Sequence, residues 1–135
     1  MLRREVAVFL AVGGATVLVD YLTYRALLLA GLEPVSLAKS LGFVAGTGFA
    51  YVANRCLTFA ARNQPLLGTL WRFGVLYALT LGVNVGVNDL LLQLAGERMH
   101  AVSFAFLAAT ATSATLNFVG MKRFVFHRGW TESDA

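Results

Sequence analysis

Long runs of apolar residues fill most of this sequence, and three short polar breaks separate them. A helix that crosses the hydrocarbon of a membrane needs about 20 predominantly apolar residues. Four stretches reach that length and predict transmembrane helices over approximately residues 6–30, 35–59, 73–95 and 101–121. They lack the strict two-residue alternation of a membrane β-barrel. The pattern therefore predicts an all-α integral membrane fold, with residues 1–135 forming one transmembrane domain of two helical hairpins.

The composition excludes two broad classes of protein. Apolar residues make up 58% of the 135 positions and charged residues only 13%. An average soluble domain is about half apolar and about a quarter charged, and a short soluble chain cannot hide this many apolar side chains. Disorder requires the opposite composition. A soluble globular enzyme and a disordered chain are therefore both excluded.

The basic residues lie in clusters between the apolar runs. The formal net charge is +4, but this clustering is typical of membrane-span ends, so no nucleic-acid partner is predicted. Because Lys and Arg concentrate in cytoplasmic loops, the distribution predicts that both termini and the loop between the second and third spans are cytoplasmic. The basic residues on that side are Arg3, Arg4, Arg55, Arg62, Arg72, Lys122, Arg123 and Arg128, with Trp130 in the accompanying aromatic belt. The opposite side carries Lys39, Arg98 and Arg25.

The two halves of the chain resemble one another, which favours an internal duplication. At a shift of 67 residues, Ala38, Gly42, Gly46 and Ala50 overlay Ala105, Ala109, Ser113 and Asn117. In the preceding helices a shift of 64 pairs Asp20 with Asn84. Each half holds two spans, so both halves are expected to enter the membrane in the same sense, as a parallel repeat. The alternative is chance similarity between apolar segments.

Small residues at four-residue spacing predict close helix packing. Such residues allow two helix backbones to approach each other in a membrane. The two examples are Gly42-x-x-x-Gly46 and Gly82-x-x-x-Gly86.

Several polar residues lie inside the predicted spans. An ionisable group at mid-span is expensive and is a functional candidate by default; Asp20 is such a group, with Tyr24 one helical turn away. The alternative is a structural carboxylate paired with a donor on another helix. Asn84, Asn88 and Asn117 are also candidates. For Asn84 and Asn117, interhelical hydrogen bonding is the favoured interpretation.

Basic side chains near the span ends are candidates for contact with a phosphate group. A guanidinium matches phosphate oxygens well, although long basic side chains also reach the membrane interface without binding anything. The candidates on the outer side are Arg25 and Lys39, and those on the cytoplasmic side are Arg55, Lys122 and Arg123. Cys56 is the one cysteine, and no metal-ligand spacing or nucleophile–base arrangement is found. We therefore expect no enzyme activity, no cofactor and no metal.

Several of these residues occur together in an order that resembles the GtrA-like family. The resemblance extends from about Val8 to Phe126. It is carried by Phe9-Leu10-Ala11-Val12-Gly13-Gly14 leading to Asp20, by Asn54-Arg55-Cys56-Leu57-Thr58-Phe59, by Arg72-Phe73, and by Asn117-Phe118 followed by Lys122-Arg123-Phe124-Val125-Phe126. One departure is Val8, where a basic residue is more typical of the family.

The resemblance implies a role in cell-surface polysaccharide synthesis or glycosylation. Such proteins are thought to move a polyprenyl-phosphate-linked sugar across the cytoplasmic membrane, between one membrane glycosyltransferase inside and another outside. A homodimer is expected, because four helices alone offer only a thin groove. Two alternatives remain open: a non-transporting partner that recruits or stabilises a glycosyltransferase, and a small proton-coupled multidrug exporter that uses Asp20.

Overall fold

A computed structural model describes residues 1–96 and 98–127 of the chain. It contains four long helices: α1 (Leu2–Leu29), α2 (Val35–Ala53), α3 (Leu66–Ala95) and α4 (Ala101–Gly120). A π-helical turn continues α2 over Asn54–Thr58, and another continues α4 over Met121–Val125. The described residues contain no strand, and all four helices are long and apolar enough to cross a membrane. The chain is therefore an all-helical, multi-pass membrane protein, as predicted. Arg128 and Trp130, which were placed at the cytoplasmic edge, lie outside the described residues.

Two helices begin earlier than the hydropathy indicates. α1 begins at Leu2, and α3 begins at Leu66 rather than near Phe73. Pro65 precedes the first turn of α3, where its missing N–H has no cost, and Thr69 Oγ1 donates to the Pro65 carbonyl at 3.0 Å. Hydropathy detects the longest apolar run, so it misses the charged first turn of α1 and the part of α3 that precedes the interruption at Arg72.

The chain divides into two compact units, and the first is Met1–Arg62. It consists of α1, α2 and the first π turn, with α1 packed along α2. α1 ends at Leu29, and Gly31 follows it with a φ of +82°, the left-handed conformation that glycine adopts just after helix ends. The amide of Gly31 donates to the Leu28 carbonyl and that of Leu32 to the Leu27 carbonyl, both at 3.0 Å. These bonds close the helix and turn the chain into the hairpin.

The second unit comprises Asn63–Ala135, of which residues 63–96 and 98–127 are described. It consists of α3, α4 and the second π turn, with α3 packed along α4. Gly120 lies at the end of α4 against the side chain of Leu76. Gly82 and Gly86 were predicted to pack closely, but no described residue of this unit lies within 4 Å of a Cβ built at either position. That part of the packing prediction is wrong within the unit, because these glycines face away from α4.

The two units repeat the same elements at the shift found in the sequence. The π turns Asn54–Thr58 and Met121–Val125 are 67 residues apart. Ala38 and its counterpart Ala105 are both completely buried. The repeat therefore extends from the sequence to the positions of helix ends and of buried small residues.

Candidate functional site

The contact between α1 and α2 in the first unit is unusually close, and Gly42 and Gly46 create it. A Cβ added to Gly42 would lie 2.7 Å from the backbone oxygen of Asp20 and 2.8 Å from its Oδ1. A Cβ added to Gly46 would lie 3.1 Å from both the Asp20 Cβ and the Thr16 backbone oxygen. The absence of side chains at these two glycines allows the Asp20 segment to lie directly against α2. The carboxylate of Asp20 is therefore held in the seam between the two helices.

Asp20 forms an ion pair with Lys39 across this seam. The Nζ atom of Lys39 donates to Oδ1 at 3.1 Å and to Oδ2 at 3.3 Å, and it lies 5.6 Å from the centre of the Tyr24 ring. The Asp20 side chain is 21% exposed and that of Lys39 is 59% exposed. A charge at the centre of a span costs about 2.5–3.5 kcal/mol on insertion scales, and pairing reduces that cost. We call Asp20, Tyr24 and Lys39 the ion-pair cluster.

Asp20 lies well inside its helix rather than at an end. The helix continues beyond it to Leu29, which corresponds to about 14 Å at 1.5 Å per residue. Lys39 belongs to the second turn of α2 and reaches Asp20 through its long side chain. The ion pair fits both hypotheses from the sequence, a structural pair and a site for an anionic ligand. Arg25 is exposed and has no hydrogen bond or ion pair among the described residues, so it is not part of the cluster.

Uncharged hydrogen bonds join the two helices in the second unit. Thr80 Oγ1 on α3 donates to Asn117 Oδ1 on α4 at 2.7 Å. Asn84 Nδ2 donates to Ser113 Oγ at 2.9 Å, and Ser113 donates in turn to the Thr110 carbonyl at 3.2 Å. The favoured interpretation of Asn84 and Asn117, as residues that bind one helix to another, agrees with these contacts. Asn88 is half-buried one turn further along α3.

The same seam positions carry different chemistry in the two units. Asp20 corresponds to Asn84 and Gly46 to Ser113, so the Asn84–Ser113 hydrogen bond has no equivalent in the first unit. Thr16 corresponds to Thr80, but its expected acceptor, the counterpart of Asn117, is Ala50. Thr16 Oγ1 is accordingly buried without a hydrogen-bond partner among the described residues.

Lys39 also has no equivalent in the second unit. Its counterpart at the shift of 67 residues is Phe106, which is exposed. The charged pair is therefore confined to the first unit. The helix seam of the second unit is instead closed by neutral side chains.

The first π turn fixes Arg55 at the other end of α2. Its guanidinium donates to Tyr51 Oη and to the Arg62 carbonyl, both at 3.0 Å. Buried Asn54 and Thr58 complete the turn, since Asn54 Nδ2 donates to the Ala50 carbonyl at 2.9 Å and Thr58 Oγ1 to Asn54 Oδ1 at 2.8 Å. Arg55 is thus held in place by its own segment and lies far along α2 from Lys39.

The second π turn carries Lys122 and Arg123. Lys122 is half-buried and Arg123 is exposed, while Met121 and Val125 of the same turn are completely buried. Phe124 makes an edge-to-face contact with Trp71 of α3, at 6.1 Å between ring centres. The turn therefore anchors its apolar side in the unit and presents Arg123 outward.

The structure adds residues that were not in the predicted site. Thr80 and Ser113 are the partners of Asn117 and Asn84, and the polar face that they share with these asparagines was visible in the sequence. Arg72 is only 5% exposed and lies 5.4 Å from the Trp71 ring. Nothing in the local sequence distinguishes it from the neighbouring basic residues, because burial depends on tertiary packing.

The candidates thus fall into separate groups within the two units. The first unit brings together Asp20, Tyr24 and Lys39, with Arg25 and Arg55 apart from them. In the second unit Asn84 and Asn117 belong to the hydrogen-bonded seam. Within the described residues no group of His, Cys, Asp or Glu is arranged to hold a metal ion.

Comparison with known families gives a match over most of the chain. The family model described as GtrA/DPMS, transmembrane domain, matches residues 8–126. This range includes α1 from Val8 onward, the other three helices, both π turns and every candidate site residue. No solved structure matches the chain.

Proposed function

This chain belongs to the GtrA/DPMS transmembrane-domain family, and from that membership we propose that it translocates a polyprenyl-phosphate-linked sugar across the cytoplasmic membrane. Membership indicates involvement in membrane processes that concern polyprenyl-phosphate sugars. The product of the proposed step is a lipid-linked sugar on the outer leaflet, available for cell-surface polysaccharide synthesis or for glycosylation.

The observation that carries this proposal is the Asp20–Lys39 ion pair inside a membrane-spanning hairpin. A sugar phosphate cannot enter hydrocarbon without charged or hydrogen-bonding partners. The largely exposed ammonium of Lys39 offers such a partner to a phosphate, and an ionised donor strengthens the hydrogen bond. Tyr24 and the unpaired hydroxyl of Thr16 lie on the same face of α1. The sugar is proposed to follow this polar face while the polyprenyl chain stays in the lipid.

The proposed orientation places both chain termini in the cytoplasm. It rests on the excess of Lys and Arg at that side, to which the π-turn residues Arg55, Lys122 and Arg123 contribute. Arg55 in the first unit, and separately Lys122 and Arg123 in the second, are proposed to attract lipid phosphates at the cytoplasmic interface.

In this proposal the protein acts as a carrier rather than as an enzyme. Membrane glycosyltransferases make the lipid-linked sugar on one side and use it on the other. A homodimer is proposed as the working form. Val12 is the one buried residue of α1, a helix that is described in full. This leaves most of the α1 surface for lipid or for a protein partner.

The exposed surface of α1 also supports a second candidate function. A protein that recruits or stabilises a glycosyltransferase needs a broad apolar face in the membrane. α1 offers such a face with Leu10, Val17 and Leu18, all more than half exposed. In this alternative the ion pair serves only to hold the hairpin together.

Reconstitution into vesicles tests the proposed function. The purified protein is placed in proteoliposomes with a polyprenyl-phosphoryl-hexose, and the lipid that reaches the outer leaflet is measured over time with an impermeant enzyme that cleaves the sugar. Acceleration over protein-free vesicles is the expected result. No acceleration with folded protein, for several hexoses, would favour the recruiting function.

A matched pair of variants identifies the site. Asp20→Asn and Asp89→Asn make the same chemical change, but Asp89 is an exposed residue of α3 and not a member of the ion-pair cluster. We expect Asp20→Asn to lose translocation and Asp89→Asn to retain it. Translocation at the wild-type rate in both variants would show that Asp20 does not lie on the path of the headgroup.

A further inference from the structure

We propose that binding of the anionic headgroup at Lys39 is coupled to uptake of one proton by Asp20, so that lipid and proton cross together. This inference rests on the proposed function and deepens it. The seam of the second unit is closed by neutral hydrogen bonds, so a hairpin of this kind does not need an ion pair to hold its helices together.

The two members of the pair differ in their freedom to move. Asp20 is wedged against Gly42, at whose position a Cβ would be 2.8 Å from Oδ1. Lys39 is 59% exposed, and its ammonium is carried on a flexible side chain. A ligand that competes for the pair therefore draws Lys39 away and leaves the carboxylate in the seam.

The charge count of the site then requires a proton. The paired site is neutral, with one carboxylate and one ammonium. A sugar phosphodiester brings one negative charge, and when Lys39 turns to it, Asp20 loses its counter-ion inside a membrane span. One proton taken up by the carboxylate from the buffered solution restores neutrality. The loaded site then holds an ammonium, a phosphodiester anion and a neutral carboxyl group, and an isolated charge in hydrocarbon is avoided.

Among the described residues, no second carboxylate, cysteine or histidine lies beside Asp20 to take this proton. From α2, Lys39 is the charged residue that faces it, and on its own helix Tyr24 lies one turn away. The π turn also packs against α1, but at the opposite end, where Arg4 donates to the Leu57 carbonyl at 3.3 Å. Arg55 of that turn is bonded to Tyr51 and to Arg62.

Calorimetric titration of the full chain in detergent tests the coupling. The probe is a short-chain isoprenyl-phosphoryl-glucose, which has no titrating proton near neutral pH. Binding heats are compared in PIPES and in Tris at the same pH, because buffers with different ionisation enthalpies reveal proton uptake. We expect about one proton taken up per probe bound by the wild type and by Asp89→Asn, by the linkage of binding to protonation.

Variants at the two positions distinguish the role of Asp20 from that of Lys39. Asp20→Asn is expected to bind the probe without proton uptake, and Lys39→Gln to bind it roughly ten- to a hundredfold more weakly, because a hydrogen bond to a charged group is lost. Wild-type binding without proton uptake overturns the coupling and leaves the proposed function standing. No binding by the folded wild type overturns both. The number of protons that the wild type takes up per probe bound decides whether binding is coupled to protonation, even if Asp20→Asn does not fold.

A second readout uses sealed vesicles. Co-transport of one anion with one proton is electroneutral, so a pH difference of one unit is expected to shift the leaflet distribution of the probe about tenfold at equilibrium. A potassium diffusion potential is expected to leave the distribution unchanged. A distribution that follows the potential and ignores the pH difference would contradict the coupling.

Discussion

Gly42 of α2 lies directly against Asp20 of α1, so that a Cβ added to the glycine would fall 2.7 Å from the aspartate's backbone oxygen. This contact sets how closely the two helices approach. It also places the carboxylate in the seam, because the missing side chain at Gly42 lets the Asp20 backbone oxygen and Oδ1 lie against α2. The packing of the hairpin and the position of its charged residue therefore depend on the same glycine.

Replacement of Gly42 by Ala is expected to destabilise the protein. The added methyl group meets backbone atoms, which cannot rotate away, and overpacking of this kind costs about 1–3 kcal/mol in free energy of unfolding. Gly48→Ala is the matched control, because no described residue lies within 4 Å of a Cβ at Gly48 in the same helix. The free energy of unfolding of both variants is measured by SDS titration in mixed micelles, with circular dichroism as the signal. Equal stability of the two variants would show that the close approach is not present in the membrane.

Gly120→Ala is expected to cost less than Gly42→Ala, although its Cβ also meets a neighbour. That neighbour is the end of the Leu76 side chain, in the same unit. A leucine can change its side-chain torsions for about 0.5–1.5 kcal/mol, whereas backbone cannot move so cheaply. The same SDS titration gives the comparison. A larger decrease in the free energy of unfolding for Gly120→Ala than for Gly42→Ala would mean that the Leu76 side chain cannot change its torsions.

Thr80→Ala tests the hydrogen-bonded seam of the second unit. Loss of the bond to Asn117 is expected to lower the free energy of unfolding by about 0.6 kcal/mol, the average for such bonds in membranes, and by no more than about 1.7 kcal/mol. Thr115→Ala removes the same hydroxyl from α4, where it donates at 2.8 Å to the Ala111 carbonyl of its own helix. Because that carbonyl keeps its helical partner, this control is expected to show a smaller change. The reverse order would contradict the assigned role of Thr80.

Lys39→Arg and Lys39→Gln separate charge from shape at the proposed headgroup site. Arg keeps the positive charge and can pair with both Asp20 and a phosphate, so translocation is expected to continue. Gln removes the charge, and the initial rate in proteoliposomes is expected to fall about tenfold or more. Wild-type rates in Lys39→Gln would show that the ammonium does not bind the headgroup.

The orientation of the hairpins is tested by labelling single cysteines. In a Cys56→Ser background, Glu33→Cys lies between α1 and α2, and Asn63→Cys lies between the first π turn and α3; both positions are exposed. An impermeant maleimide added to intact cells is expected to label Glu33→Cys, and to label Asn63→Cys only after the membrane is opened. The opposite result would invert the proposed topology.

Much of the fold could be predicted from the sequence because membrane spans are long and apolar. The number of helices follows from hydropathy, and the repeat follows from small residues such as Ala38 and Ala105, whose burial is the same in both units. The first turn of α3 could not be predicted in this way, since Thr69 and Arg72 interrupt the apolar run. The π turns have no hydropathy signal either.

The candidate site was predicted less completely. Asp20 was evident from the cost of a charge in a span, but its pairing with Lys39 depends on how α1 and α2 cross at Gly42. Sequence spacing along one helix carries no information about such a crossing. For the same reason Arg25, which is close to Asp20 along the chain, lies outside the ion-pair cluster.

The two π turns, at Asn54–Thr58 and Met121–Val125, bear on the ancestry of the chain. π-helical turns are rare, and two independent origins at matched positions are a poor explanation. Duplication of one hairpin that already carried the turn accounts for both turns in a single step. On that account the differences between Asp20 and Asn84, and between Lys39 and Phe106, arose after the duplication. The two units then share one backbone plan and differ in the chemistry of their helix seams.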